Sequence, residues 1–202
     1  MVKTAVLVSG GGLNLQSLLD AKLFGELPEC EITAVISSRP DAYALMRAEA
    51  ALVPTYIIDR ELFPNESVFA QAVSDKLKDL DIELIVIAGF DHKLPSSVFK
   101  RFSGRIIDTC PMLPNSKDEQ AGASAFFVTE NAEERLYIIS QTVDVEDYQT
   151  PEARKQRLLE EGENVVLPKA VSLFCTGQLR LEDGSVHIRC PEQEKQSPPC
   201  HA

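Results

Sequence analysis

Thr4-Ala5-Val6-Leu7-Val8-Ser9-Gly10-Gly11-Gly12-Leu13-Asn14-Leu15 carries the reading of this chain. A β-favouring apolar run, Thr4 to Val8, stops at three glycines. A helical pattern follows, with Leu15, Leu18, Leu19 and Leu23 on one face and Asn14 placed to cap. Glycines let the backbone turn sharply and leave N–H groups facing outward at a helix N-terminus, where the aligned peptide dipoles favour an anion. A P-loop would need a Lys in the turn, and there is none. A dinucleotide fingerprint would need a third Gly where Leu15 stands, and an acid at the end of the second strand, where Ser37-Ser38-Arg39 stands. A monophosphate fits best, and a tight turn with no ligand is the competing reading.

Outward from this unit, strands and helices alternate. Glu31 to Ile36 and Tyr56 to Ile58 read as strands, and Ala42 to Leu52 as a helix between Asp41 and Pro54. Glu66 to Leu80 places Val68, Phe69, Ala72, Val73, Leu77 and Leu80 on one helical face. Ile82 to Ala88, apolar but for Glu83, reads as a strand buried by helices on both sides. The alternation predicts an α/β fold with a mostly parallel, doubly wound sheet and helices on both faces. Beyond Gly104 the pattern changes. Arg105 to Asp108, Ala123 to Val128 and Tyr137 to Val143 are strands with little helix between them. Thr150-Pro151-Glu152 opens a helix that bends near Gly162 or Pro168 and ends before Gly177. Leu179 to Ile188 reads as a hairpin turning on Asp183-Gly184. Residues 1–190 are expected to form a single domain and 191–202 a disordered tail.

Composition bounds the function. The 202 residues are 44% hydrophobic and 25% charged, enough to build a core without disulfides or metal. Twenty Lys and Arg against 31 Asp and Glu give a net charge of −11, which opposes a nucleic-acid groove or an anionic membrane surface. Apolar runs such as Ile85 to Phe90 are too short to span a bilayer, and Ala5 to Val8 is too short for a signal-peptide core. Five cysteines, odd in number and without a C-x-x-C pair, read as reduced thiols of a cytoplasmic protein; with three scattered histidines they make no metal site. The acidic run Glu130 to Glu134 and the Lys155-Gln156-Arg157 cluster read as solvated surface.

Val6 to Gln16 resembles the opening of the phosphoribosylglycinamide formyltransferase family. The likeness continues in order through Ala34 to Ala42, Ile85 to Phe90, Gly104 to Ile107 and Leu167-Pro168 to Gly177, covering about residues 4 to 189. It implies a Rossmann-like formyltransferase fold with a C-terminal helix and β-hairpin. It also implies transfer of a formyl group from 10-formyltetrahydrofolate to glycinamide ribonucleotide in purine biosynthesis. The implied ligand-binding set is Gly10, Gly11, Gly12, Leu13 and Asn14, with Glu163 at the acid that meets the ribose hydroxyls. Leu13 stands where the family has a donating Ser. The implied partner is a small phosphorylated ribosyl ligand such as glycinamide ribonucleotide, and a homodimer is left open.

The catalytic stretch departs from the family. Asn-x-His-Pro becomes Asp108-Thr109-Cys110-Pro111: a carboxylate replaces an amide donor and a thiol replaces an imidazole. An ionised Asp108 would repel a developing oxyanion. Glu133 aligns with the third family residue, an Asp, but the glycine turn that positions it is missing from Glu130 to Arg135. The loop after Pro114 is shortened to Asn115 through Gly122, and Asp91-His92-Lys93 replaces an apolar wall of the pterin pocket. Cys110 beside Asp108 reads as a buried hydrophobe, not a nucleophile. His92 reads as an exposed loop residue. Three functions follow: a phosphoribosyl-ligand binder with formyl transfer lost or impaired, an active enzyme with a rearranged site using 10-formyltetrahydrofolate, or a scaffold or partner subunit.

Overall fold

A computed structural model of the chain describes residues 1–112, 121–131, 134–145, 150–182 and 185–189. Seven strands form one sheet: β1 (Val2–Val8), β2 (Cys30–Ser37), β3 (Thr55–Ile57), β4 (Leu84–Ile87), β5 (Ile106–Met112), β6 (Gly122–Val128) and β7 (Arg135–Thr142). Their order is β3-β2-β1-β4-β5-β6-β7. The pairs from β3 to β5 are parallel, while β5–β6 and β6–β7 are antiparallel. β1 has β2 on one side and β4 on the other, so the chain reverses its winding at β1. The carboxyl ends of β1 and β4 at this reversal are where doubly wound sheets bind ligands.

Alternate residues of each strand serve opposite faces. Val6 and Val8 of β1 join one core with α1 (Leu13–Leu23), α2 (Tyr43–Ala50) and α6 (Asn164–Cys175), through Leu15, Leu18, Ala44, Ala48, Val166 and Val171. Ala5 and Leu7 join the other, with α3 (Glu66–Asp79) and α4 (Ser96–Arg101), through Phe69, Val73, Leu77 and Val98. Between α5 (Pro151–Leu158) and α6 lies one π-helical turn, Leu159–Glu163, at the bend expected near Gly162. β8 (Leu179–Glu182) and β9 (Ser185–Ile188) pair antiparallel as the expected hairpin; its turn residues 183–184 lie outside the described residues, as does the tail.

Several local expectations are corrected. Gly12, in the left-handed region at φ 71°, takes the N-cap position of α1, so Asn14 sits inside the first turn and does not cap. Val68 is 46% exposed because the buried face of α3 is Phe69, Ala70, Val73 and Leu77. The strand expected over Arg105 to Asp108 runs on to Met112. Pro111 is tolerated because β4 pairs only with Ile106 and Ile107, leaving that edge of β5 free for a residue without an N–H. Thr150 caps α5 as expected, its Oγ1 accepting the Ala153 N–H at 3.2 Å. No helix among the described residues is long and apolar enough to cross a membrane.

Candidate functional site

The glycine turn is clamped from behind. Ser9 ties three strand ends together: its N–H donates to Gly89 O at 2.8 Å, its Oγ shares a proton with Ser38 Oγ at 2.6 Å, and the Asp91 N–H donates to that Oγ at 3.0 Å. The turn's carbonyls face the protein. Gly10 O accepts from Ala44 N at 3.0 Å, Gly11 O from Arg47 Nε at 2.9 Å and Gly12 O from Gln16 N at 2.9 Å. Its amides do not. Among the described residues, no protein acceptor meets the N–H groups of Gly10, Gly11, Gly12, Leu13 or Asn14. A Cβ on Gly10 or Gly11 would stand in open space, whereas one on Gly12 would lie 2.6 Å from the Ala44 Cβ. The turn is therefore a preformed concavity of donors at the start of a helix.

Three side chains from distant parts of the chain meet beside it. Glu163 Oε2 accepts from Thr109 Oγ1 at 2.7 Å and from Asn14 Nδ2 at 3.1 Å, and Asn14 Nδ2 lies 3.3 Å from Thr109 Oγ1. The carboxylate fixes which end of the Asn14 amide faces it, since it can only accept. Asn14 Oδ1 is buried with no hydrogen-bond partner among the described residues. The π-helical turn sets Glu163 in place: Gly162, on which a Cβ would come within 2.7 Å of the Ala123 Cβ, lets the turn lie directly on β6. Asn14 and Glu163 are thus brought together. Thr109 joins them unannounced.

Asp108 and Cys110 alternate with Thr109 along β5 and so face the other side of the sheet. Asp108 Oδ1 accepts the Thr109 N–H at 2.7 Å. Burial pushes this carboxyl up to about 7, and the negative charge of Glu163 adds to the rise; the Thr109 amide and the Arg135 guanidinium oppose it. The protonated form of Asp108 is therefore far more accessible near neutral pH than that of an ordinary carboxyl. Arg135, the first residue of β7, donates from Nη1 to Cys110 Sγ at 3.2 Å and lies 4.9 Å over the Phe126 ring. The Cys110 thiol is still pushed up: burial leads, Asp108 and Glu163 add to it, and Arg135 only partly offsets them. A cation beside Cys110 was invisible in the sequence because it depends on the register of β5, β6 and β7.

The remaining candidates divide. Glu133 and residues 115–120 lie outside the described residues. His92 is not an exposed loop residue: its ring packs 4.9 Å from Phe69 and 5.6 Å from Phe90, with Nδ1 3.5 Å from Glu66 Oε1, leaving the side chain 18% exposed. Asp91 pairs with Arg39 at 3.3 Å. A groove of about 860 Å³ between α1 and α2 holds none of Asp108, Cys110 or Glu163, but reaches Gln16 and Arg47 behind the glycine turn. Among the described residues, no group of three His, Cys, Asp or Glu could hold a metal.

The chain is similar to known proteins in sequence and in fold. The formyl transferase family model matches residues 2–117. The phosphoribosylglycinamide formyltransferase of Haemophilus influenzae is 32% identical, over 93% of this chain and 94% of its own. Among solved structures, glycinamide ribonucleotide transformylase 1 from Symbiobacterium toebii superposes with a TM-score of 0.85 at 31% identity, covering 93% of this chain and 94% of that one. The phosphoribosylglycinamide formyltransferase of Coxiella burnetii does so with 0.79 at 33% identity, covering 93% of each.

Proposed function

The chain belongs to the phosphoribosylglycinamide formyltransferase family of purine biosynthesis, and from that premise we propose that it binds a phosphorylated ribosyl ligand while having lost efficient formyl transfer. The observation that carries the binding half is the glycine turn, whose amides meet no acceptor among the described residues, with Glu163 beside Asn14. In this reading the amides of Gly10 to Asn14 take the phosphate of glycinamide ribonucleotide. Glu163, already accepting from two donors, takes a ribose hydroxyl in exchange for one of them.

The loss of chemistry is supported by β5. Where the family places an amide and an imidazole, this chain has Asp108, whose carboxyl spends its Oδ1 on Thr109, and Cys110, pinned by Arg135. A positioned acid or base contributes about 10²–10⁴-fold, and groups acting as a unit do not add. Replacing the set costs on the order of 10⁴–10⁶ in rate, or about 5–8 kcal/mol of barrier.

One observation favours a second reading, an active enzyme with a rearranged site. A carboxyl pushed up to about 7 can hold its proton near neutral pH, and a neutral carboxylic acid donates an O–H where an amide would donate an N–H. The two readings part under one assay. Stoichiometric full-length protein is mixed with 10-formyltetrahydrofolate and glycinamide ribonucleotide across pH 5.5–8.5. The leading reading expects no product above the uncatalysed background at any pH. Product that increases as pH falls through about 7, and vanishes in Asp108→Ala, establishes the second reading.

A further inference from the structure

We propose that the apolar groove between α1 and α2 is an interface between two copies of this chain, closed by Leu52 of each copy entering the groove of the other. Leu52 follows the last turn of α2. Its N–H donates to Glu49 O at 3.0 Å, and the Val53 N–H donates to Ala48 O at 2.9 Å. This paired closure of a helix end needs a left-handed residue at position 52, where glycine or asparagine usually stands. Leu52 takes that conformation instead, at φ 58°, with 92% of the residue exposed. A left-handed backbone is unfavourable for a residue with a Cβ, and a leucine left in water gains nothing from burial. Glycine would avoid both penalties, so the isolated chain gives this leucine no role. A second copy gives it one.

The groove supplies the other half of the contact. Leu23, Tyr43 and Met46, each more than half exposed, line its volume of about 860 Å³ together with Leu52. Apolar side chains scattered over a surface are ordinary, whereas a group of them around one concavity marks an interaction face. The knob and the groove stand on the same face, so a two-fold axis lets each copy serve the other, and the assembly closes at two. Charge selects the occupant. The chain carries a net charge of −11, so its copies repel one another in general. The charged residues lining this groove are two acids, Asp20 and Glu31, and two bases, Lys22 and Arg47. Two copies can therefore meet on this face without net repulsion, while a strongly acidic or basic partner finds no complement there. Both bases are already held in place. Lys22 Nζ donates to Cys30 O at 2.6 Å and to Leu27 O at 3.2 Å, and Arg47 donates to Gly11 O and Gln16 Oε1, each at 2.9 Å. Docking has little freedom left to remove from them.

The inference is independent of the proposed function, and its test needs no substrate. The full chain is followed by sedimentation equilibrium from about 1 to about 100 μM, because interfaces of ordinary size hold at micromolar concentrations or below. The expected result is an equilibrium between monomer and dimer with no larger species. Leu52→Gly removes the knob and relieves the left-handed strain, so the variant is expected to fold and to dimerise at least about 30-fold more weakly, the scale of losing a central interface residue. Met46→Lys places a charge in the groove of each copy and is expected to weaken the dimer similarly. A wild type that stays monomeric over this range overturns the proposal. So does a dimer of undiminished strength in either variant, or assembly beyond two copies.

Discussion

Asp108 concentrates the chemistry of the site in one titration. Its carboxyl is held near 7 when folded and at the ordinary 3.8 when unfolded. The folded state therefore keeps a proton that the unfolded state releases. Its contribution to stability is complete below pH 3.8 and is lost progressively as pH rises through about 7. Asp108→Asn removes that loss. Denaturant midpoints at pH 5 and pH 8 are expected to fall for the wild type relative to the variant, by up to ~4 kcal/mol over the full window. Equal pH profiles for the two proteins would refute the account of this carboxyl. Gly12 poses a steric question instead. Its left-handed φ of 71° and the 2.6 Å approach of a Cβ to Ala44 make Gly12→Ala expensive. Strain and overpacking together cost roughly 2–4 kcal/mol, read as a lowered midpoint of unfolding.

At the scale of elements, what was legible followed the apolar pattern. The strands from Thr4 to Val8 and Ile82 to Ala88 declare themselves because they are buried from both sides, and α3 because its apolar residues repeat at helical spacing. α4 escaped because six residues carry too little periodicity to read. The cap of α1 was misassigned because a left-handed glycine ended the turn two residues before Asn14. The glycine turn was legible in the residues themselves, Glu163 only through family likeness, and the structure sets Glu163 against Asn14. Thr109 was in plain view between the two altered positions, but only the pleat shows which face it takes. Arg135 reaches Cys110 across β6, and no local signal encodes that register. The π-helical turn is the element on which the site depends most. In Gly162→Ala the new Cβ would press on Ala123 at 2.7 Å and push Glu163 out of line. The expected outcome is a folded protein in which glycinamide ribonucleotide no longer raises the melting temperature; an unchanged ligand shift would show that Glu163 is not a contact.

The whole molecule presents a family fold with the glycine turn at the place where the winding of the sheet reverses, and with Asp108 and Cys110 on β5 where the family has an amide and an imidazole. Its acidic character does not forbid an anionic ligand, because the proposed binding would run through backbone amides and a helix end, not through net charge. Binding that survives the loss of transfer is the central claim, and calorimetric titration of glycinamide ribonucleotide into the full chain tests it most directly. The account predicts saturable binding that is unchanged by 10-formyltetrahydrofolate and carries no heat of reaction. Binding should weaken about 10–100-fold in Glu163→Ala, the usual worth of a hydrogen bond to a charged group. No saturable heat, or binding of equal strength in Glu163→Ala, would contradict it.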